Sequence, residues 1–229
     1  MAKPGEMGLH FPFAFLGARA PLDWRTGMFP DLLRDDIFRL ETKRLWLRWP
    51  RIADAAAIVR LAGDKDVAQM TARIPHPYPQ AAADRWIFES RVGNAQGSAV
   101  VLALTLKDRP SELIGVIGVH QTRAGRALLG YWLGKPFWGQ GLMTEATQAL
   151  VDLAFRASEV EKIETHAMVD NPRSCGVLLN AGFVVEGEKP VDMAERGGVF
   201  VCRYFGLDRE TWQARQTAPL AAGDMRLAC

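Results

Sequence analysis

Three strand-like segments in immediate succession constrain the fold of this 229-residue chain more than any other feature of its sequence. The segments "AVVLALTLK", "LIGVIGVHQ" and "ALLGYWLG" are rich in branched aliphatic and aromatic residues, and short polar connections such as Asp108-Arg109-Pro110 join them. Antiparallel strands can be linked by tight turns, whereas parallel strands need long crossovers. The spacing therefore predicts an antiparallel meander.

The segments on either side of the meander add helices and further strands. Before it, "RLETKRLWLRW" predicts one alternating strand with Leu45 and Leu47 on the same face, and helical patterns follow in "ADAAAIVRLAG", "DKDVAQMT" and "AAADRWIFESRVG". After it, the patterns predict a helix, the strand "KIETHAMV", a helix ending at Gly182 and a last pair of strands. This order predicts an α/β (α+β) domain with a central mixed, mostly antiparallel sheet flanked by helices.

The two ends of the chain have a different character. Residues 1–38 are rich in Gly, Pro and Phe without a clear period, so we interpret them as an N-terminal extension that packs through its aromatic residues Phe11, Phe13, Phe15 and Phe29. The more specific alternative is that this extension serves as a substrate lid or as a dimer arm. The predicted boundaries are 1–38 for the extension, 39–215 for the domain and 216–229 for a C-terminal tail.

Composition excludes several classes of protein. Hydrophobic residues make up 48% of the chain and charged residues 24%, with a formal net charge of +2, so nothing favours nucleic acid as a partner. Cys175, Cys202 and Cys229 cannot all pair and have no metal-ligand spacing, which predicts a reduced, cytoplasmic protein without a metal. No apolar run approaches the roughly 20 residues of a membrane span.

The stretch "YWLGKPFWGQGLMTEA" joins the end of the meander to a helix through a glycine-rich turn. Gly139 and Gly141 let the backbone approach a ligand, and the first turn of a helix offers unpaired N–H groups and partial positive charge. The combination predicts an anion site, most naturally for phosphate. No Gly-Lys-Ser/Thr follows, and the glycines do not follow an early strand of a repeated parallel unit, so a P-loop and a dinucleotide fold are both unsupported.

Three stretches of the sequence resemble the GNAT superfamily of N-acetyltransferases, and within it the ribosomal-protein N-acetyltransferase-like group. They are "LETKRLWLR", "LGYWLGKPFWGQGLMTEA" and "VDNPRSCGVLLNAGF", so the resemblance covers roughly residues 39–207. It implies the GNAT fold, with acetyl-CoA as the acetyl donor. Two residues depart from the wider superfamily's loop pattern: Trp138 occupies its first place and the bulky Met143 its last.

The resemblance also implies which residues hold acetyl-CoA. The pantetheine arm would bind exposed backbone of the strand that precedes the loop, and the pyrophosphate would bind the N–H groups from Gly139 to Thr144. The residues implied are Tyr131, Trp132, Leu133, Trp138, Gly139, Gln140, Gly141, Leu142, Met143, Thr144, Asn171 and Ser174.

The resemblance also implies a candidate that would protonate the departing thiolate. Many GNAT enzymes place an acidic Tyr seven residues after the position of Asn171, but this chain has Leu178 there; the ribosomal-type enzymes imply a Ser instead, which corresponds to Ser174. Ser and Asn also favour helix starts for their hydrogen bonding alone, and the two interpretations are compatible. Cys175 has no base partner at readable spacing, so a covalent mechanism is disfavoured.

His166 and His120 are the candidate general bases. His is the side chain best suited to titrate near neutrality, and His166 lies five residues before Asn171, where a catalytic Glu occurs in some N-terminal acetyltransferases. Each histidine has the alternative of a half-buried strand residue. His76 and Tyr78 are interpreted as a substrate-side wall.

The resemblance thus implies direct acetyl transfer from acetyl-CoA to an amine. A protein N-terminal α-amine is the favoured acceptor, because its pKa of about 7.7–8.0 asks less of a base than a Lys amine near 10.4. A small-amine acetyltransferase acting on a polyamine or aminoglycoside, and a non-catalytic acyl-CoA sensor, remain open alternatives. A homodimer is also left open by the sequence.

Overall fold

The computed structural model describes residues 28–217, so the predicted contacts of Phe11, Phe13 and Phe15 and nearly all of the predicted tail lie outside it. In chain order the strands are β1 (Arg39–Glu41), β2 (Leu45–Arg48), β3 (Ala99–Leu106), β4 (Arg109–Arg123), β5 (Arg126–Leu133), β6 (Lys162–Met168), β7 (Val184–Met193) and β8 (Gly198–Asp208). The helices are α1 (Ala55–Ala62), α2 (Lys65–Ala68), α3 (Gln80–Gln96), α4 (Leu142–Ala157), α5 (Pro172–Asn180) and α6 (Arg209–Thr217).

The described strands form one sheet in the order β1-β2-β3-β4-β5-β6-β8-β7. Each neighbouring pair among them is antiparallel except β5 and β6, which are parallel. β3, β4 and β5 are consecutive and adjacent, which confirms the predicted meander. The mixed, mostly antiparallel sheet with helices on its faces confirms the predicted fold class.

Helices cover both faces of the sheet and enclose two apolar cores. Alternate residues of β3 divide between these cores, because successive side chains of a strand point to opposite faces. Val100 and Leu102 join the larger core beneath α4 and α5. Val101 joins the smaller core with Ile58 of α1 and Ile87 of α3.

The first predicted strand is in fact two strands joined by a tight turn. β1 pairs antiparallel with β2, and the Thr42 N–H donates to the Leu45 carbonyl at 3.0 Å across the turn. No Gly or Pro marks this reversal, so the alternating pattern concealed it. The turn is held instead by side-chain contacts to Glu145 of α4.

Helix α6 is a further element that the sequence pattern missed. Its residues "RETWQARQT" are almost wholly polar, so they carry no apolar stripe of helical period. The Asp208 carboxylate accepts from the Thr211 N–H at its start, and Trp212 is buried, with its ring 5.2 Å from that of Phe155. One anchoring aromatic side chain fixes this helix to the larger core.

The described part of the predicted extension packs on the domain through its aromatic residue. Phe29 is 1% exposed and Leu33 is 2% exposed, and both belong to the larger core. The Phe29 N–H also donates to the Gly97 carbonyl beyond α3.

Candidate active site

The glycine turn opens directly onto the start of α4. Gly139 and Gly141 have φ angles of 73° and 72°, a region that residues with a Cβ rarely adopt. The Glu145 N–H donates to the Gly141 carbonyl, so the N–H groups of the first helical turn, from Leu142 to Thr144, precede the intrahelical ladder. A Cβ placed on Gly139 would meet no heavy atom within 4 Å. The turn is therefore open at Gly139 and leads into N–H groups without intrahelical partners, which are two features of an anion site.

Trp138 shapes this turn by folding back on the preceding strand. Its indole Nε1 donates to the Leu133 carbonyl at 2.6 Å. The guanidinium of Arg173, from the first turn of α5, lies over its ring at 5.4 Å from the centroid. Trp138 thus fixes the loop to the end of β5 through its hydrogen bond, and its ring holds the Arg173 cation of α5 next to the loop.

Arg44 and Thr42 reach the same loop from the β1–β2 turn, and sequence reasoning missed both. Arg44 donates from Nε to Glu145 Oε2 and from Nη1 to the Gln140 carbonyl, each at 2.7 Å. Thr42 Oγ1 and the Arg44 N–H donate to the other Glu145 oxygen. These bonds lower the pKa of Glu145 although burial alone would raise it. The cluster neutralises a carboxylate that would otherwise repel an anion at the loop.

A gap opens beside the loop where β5 and β6 separate. The two strands pair only from Arg126↔Lys162 to Leu128↔Glu164, although both strands continue well beyond these residues. Beyond the paired residues, β5 and β6 no longer form a ladder with each other. An extended ligand could therefore pair with the free edge in the manner of an added strand.

The direction of the β5 backbone shows which residues face this gap. The Gly134 N–H donates to β4 at Ile114, whereas the Leu129 carbonyl accepts from Thr165 of β6. Backbone groups alternate in direction along a strand, so Tyr131 and Leu133 also face β6. Trp132 faces β4 instead. Its backbone groups therefore pair with β4, and the predicted contact between this backbone and a ligand in the gap is not available. The Leu133 carbonyl is taken by Trp138, which leaves Tyr131 as the most open backbone position.

The start of α5 brings Ser174 to the same place. Asn171 caps this helix, because its Oδ1 accepts from the Ser174 N–H at 3.1 Å. The Ser174 hydroxyl lies 2.8 Å from the Tyr131 phenol oxygen. Leu178 is fully buried in the larger core, and burial raises the pKa of the Cys175 thiol, which keeps that thiol protonated. Ser174 is thus the hydroxyl that α5 places beside the gap.

His166 lies beside the gap on the opposite face of the sheet from Ser174. It is opposite Tyr204 in the register of β6 and β8, and the two rings are 5.2 Å apart. The neighbouring residues Ile163 and Ala167 point into the larger core beneath α4 and α5, so His166 points the other way. Burial lowers the pKa of His166 to about 4. The imidazole is therefore neutral near pH 7 and can accept a proton.

His120 does not join this group. It lies on β4 opposite Leu128, at the end of β5 that is still paired with β6, and β5 separates it from the gap. Burial lowers its pKa to about 4 as well. His120 thus lies apart from the gap, and its role as a base stays a prediction.

The loop between α2 and α3 is tied to elements far away in the sequence. His76 Nδ1 donates to the Gly63 carbonyl at 2.7 Å, and Arg196 from the β7–β8 connection donates to the carbonyls of Thr71 and Ile74. This loop borders an apolar cluster on the His166 face of the sheet, which contains Met70, Ala72, Met168, Met193 and Cys202. These residues form the candidate acceptor side, although the predicted wall role of His76 and Tyr78 stays a prediction.

Residues 28–217 contain no group of three or more His, Cys, Asp or Glu side chains that could hold a metal ion. Within the same range, no helix is both long and apolar enough to cross a membrane.

Comparison with known proteins decides the family. Residues 44–184, more than half of the chain, match the family model described as "Acetyltransferase (GNAT) domain". The chain belongs to the GNAT acetyltransferase family. It is therefore an acetyl-CoA-dependent N-acetyltransferase by class, as the sequence resemblance implied.

Proteins similar to this chain include ribosomal-protein acetyltransferases. The chain is 29% identical over 150 residues to the uncharacterized N-acetyltransferase p20 of Bacillus licheniformis, covering 65% of this chain and 83% of that protein. It is 37% identical over 81 residues to the ribosomal-protein-serine acetyltransferase of Escherichia coli, covering 34% of this chain but only 45% of that protein. Among solved structures, a ribosomal L7/L12 α-N-protein acetyltransferase in complex with coenzyme A has a TM-score of 0.64 at 22% identity, covering 75% of this chain and 98% of that one.

Proposed function

We propose that this GNAT enzyme transfers the acetyl group of acetyl-CoA directly to the α-amine of a protein N-terminus. The observation that carries the proposal is the gap between β5 and β6, which lies beside the glycine turn. Ser174 lies on one sheet face at this gap and a neutral His166 on the other. Gly139 to Thr144 would hold the pyrophosphate. The backbone of Tyr131 would pair with the pantetheine arm.

The residues on the two faces have complementary roles in the transfer. The amine nitrogen forms a bond to the thioester carbonyl carbon, and its proton passes to His166 directly or through water. The carbon–sulfur bond then breaks, and its electron pair stays on sulfur. Ser174 donates a hydrogen bond to the departing thiolate, which lowers the barrier for this step.

The weak basicity of His166 favours an α-amine over a side-chain amine. With a pKa of about 4, His166 cannot readily deprotonate an ammonium group whose pKa is near 10.4, as in Lys. An α-amine with a pKa of about 7.7–8.0 is substantially neutral at physiological pH and needs only a weak acceptor for its proton during the reaction. The proposed acceptor therefore fits the base that the fold provides.

The apolar acceptor side argues in the same direction. Met70, Met168 and Met193 would contact the side chains that follow a peptide's first residue. A polyamine or aminoglycoside would need carboxylates to pair with its several charges. The nearby carboxylate Glu164 is already paired with Arg126.

The test is acetyl transfer by the full chain to a panel of amines. The panel contains peptides with a free α-amine, the same peptides with that amine blocked and a Lys present, a polyamine and an aminoglycoside. We expect thiol release and a single acetyl mass increment only with the free α-amine, with a rate that rises with pH up to about 8. A preference for Lys or for the small amines would overturn the acceptor, and tight CoA binding without any turnover would favour a sensor.

A further inference from the structure

Tyr131 contributes to the site through its side chain as well as its backbone. Its phenol oxygen lies 2.8 Å from Ser174 Oγ and 3.2 Å from the Ser174 carbonyl oxygen. Its ring packs against the larger core, so the phenol reaches α5 from a fixed direction. The residue therefore connects the strand that borders the gap to the hydroxyl proposed to stabilise the leaving group.

We propose that Tyr131 is a positioning residue that directs the hydroxyl hydrogen of Ser174 toward the gap. This inference rests on the proposed function, in which Ser174 donates to the departing thiolate. In this role the Tyr131 phenol acts through Ser174 and does not itself contact the sulfur or the acetyl group. No net proton transfer passes through it.

The two hydroxyl groups share two hydrogens, and two arrangements of these hydrogens are available. Each hydroxyl has one hydrogen, and the Ser hydroxyl rotates freely unless a partner fixes it. If Tyr131 donates to Ser174 Oγ, the serine hydrogen is left for another acceptor. If Tyr131 donates to the Ser174 carbonyl, the serine hydrogen must return to the phenol oxygen. Both contacts hold a hydrogen in the second arrangement, because either hydroxyl can be the donor at 2.8 Å. In the first arrangement the phenol hydrogen takes the shorter contact, 2.8 Å against 3.2 Å, and a thiolate in the gap would give the serine hydrogen its acceptor.

Two further properties suit the phenol to this role. Burial raises the pKa of Tyr131, so the phenol keeps its hydrogen throughout the physiological range. A hydroxyl that accepts one hydrogen bond also becomes a stronger donor of another, because the bonds in a chain polarise each other. Tyr131 would thus both orient Ser174 and strengthen its bond to the thiolate.

The pKa of the CoA thiol in the binary complex tests this without any acceptor. Ultraviolet absorbance of the thiolate is followed against pH for CoA bound to the wild type, Tyr131→Phe, Ser174→Ala and the double variant. A hydroxyl donor at sulfur favours the thiolate, so Ser174→Ala should reduce the thiolate fraction at fixed pH about tenfold. Tyr131→Phe should reduce it about three- to tenfold, with the Kd for CoA within about threefold of wild type because the backbone contact remains.

The double variant separates positioning from an independent effect. If Tyr131 acts through Ser174, the double variant should match Ser174→Ala, because residues in one hydrogen-bond chain are not additive. Ser174→Thr, which keeps the hydroxyl, should retain most of the wild-type thiolate fraction. Tyr204→Phe removes a phenol on the other sheet face and is the matched control, with no expected change.

The outcomes distinguish this inference from the function on which it rests. A wild-type thiol pKa in Tyr131→Phe, together with a raised one in Ser174→Ala, would overturn the positioning role and leave the function standing. Additive effects in the double variant would also overturn it. No change in Ser174→Ala would instead remove the leaving-group role of Ser174, and a failure of the wild type to bind CoA would remove the proposed function.

Discussion

Replacement of Gly139 by Ala tests whether the glycine turn holds the donor. Gly139 has a φ of 73°, and an added Cβ would meet no heavy atom within 4 Å. The protein chain alone therefore accommodates the methyl group apart from the backbone strain. Any larger effect on binding must come from the space outside the protein into which the Cβ projects.

Gly197 is a matched control on the β7–β8 connection. It has a φ of 72°, and its added Cβ likewise meets nothing within 4 Å. Placing a residue with a Cβ in this left-handed region costs roughly 1–2 kcal/mol. Gly139→Ala and Gly197→Ala should therefore destabilise the fold to a similar extent, and this contribution cancels when they are compared.

The two variants should differ in their affinity for CoA. Hydrogen bonds from backbone N–H groups to a charged phosphate contribute about 1.5–3 kcal/mol each. If the Ala methyl group prevents one such bond, the Kd for CoA should rise about tenfold to a hundredfold, since about 1.4 kcal/mol corresponds to a factor of ten. Gly197→Ala should bind CoA as the wild type does.

Calorimetric titration with CoA and thermal unfolding of the same preparations provide the two measurements. Equal losses of stability with a selective loss of affinity in Gly139→Ala would support the reasoning. A wild-type Kd in Gly139→Ala would refute it and move the pyrophosphate site elsewhere. An equal loss of affinity in Gly197→Ala would show that strain, rather than contact, governs the result.

Two further predictions concern charge. Arg44→Ala should raise the Kd for CoA up to about tenfold at low salt and less at high salt, because it leaves the charge of Glu145 uncompensated beside the phosphate. Adding Glu145→Gln should recover part of the affinity. A double variant that binds CoA as weakly as Arg44→Ala would contradict this reason. The free energy of unfolding should be constant above about pH 6.5 and fall as the pH is lowered toward about 4. The reason is that burial lowers the pKa values of His120 and His166, so these histidines bind protons in the unfolded chain at a higher pH than in the folded one. Each histidine should contribute a loss of at most about 3 kcal/mol. Urea denaturation at about pH 7.5 and about pH 5 checks it, and a His120→Met variant should lose less between the two.

Local periodicity was sufficient to predict the meander and the turn that follows it. β3, β4 and β5 are consecutive in both sequence and sheet, so each pairing needs only a short connection. The turn could be anticipated for a related reason: Gly139 and Gly141 have positive φ values that only glycine adopts readily, and the anion site that we propose there would use backbone groups. Features whose cause lies within about a dozen residues leave a pattern that a single sequence reveals.

The supporting contacts could not be predicted in this way. The Arg44–Gln140 and Arg44–Glu145 bonds join positions about a hundred residues apart, and nothing near Arg44 in the sequence indicates a partner. The position of His120 relative to the gap could not be predicted for the same reason. Its strand was predicted correctly, but β5 lies between that strand and the gap.

The donor and acceptor sides of the site are built by different physical means, which explains why the sequence is informative about only one of them. The proposed donor contacts use backbone of the turn and of Tyr131, and backbone groups are the same in every family member. The candidate acceptor side is held by side chains from distant elements, such as Arg196 on the carbonyl of Thr71. Family membership therefore indicates the donor of this chain, whereas the candidate acceptor side depends on side-chain contacts between distant elements.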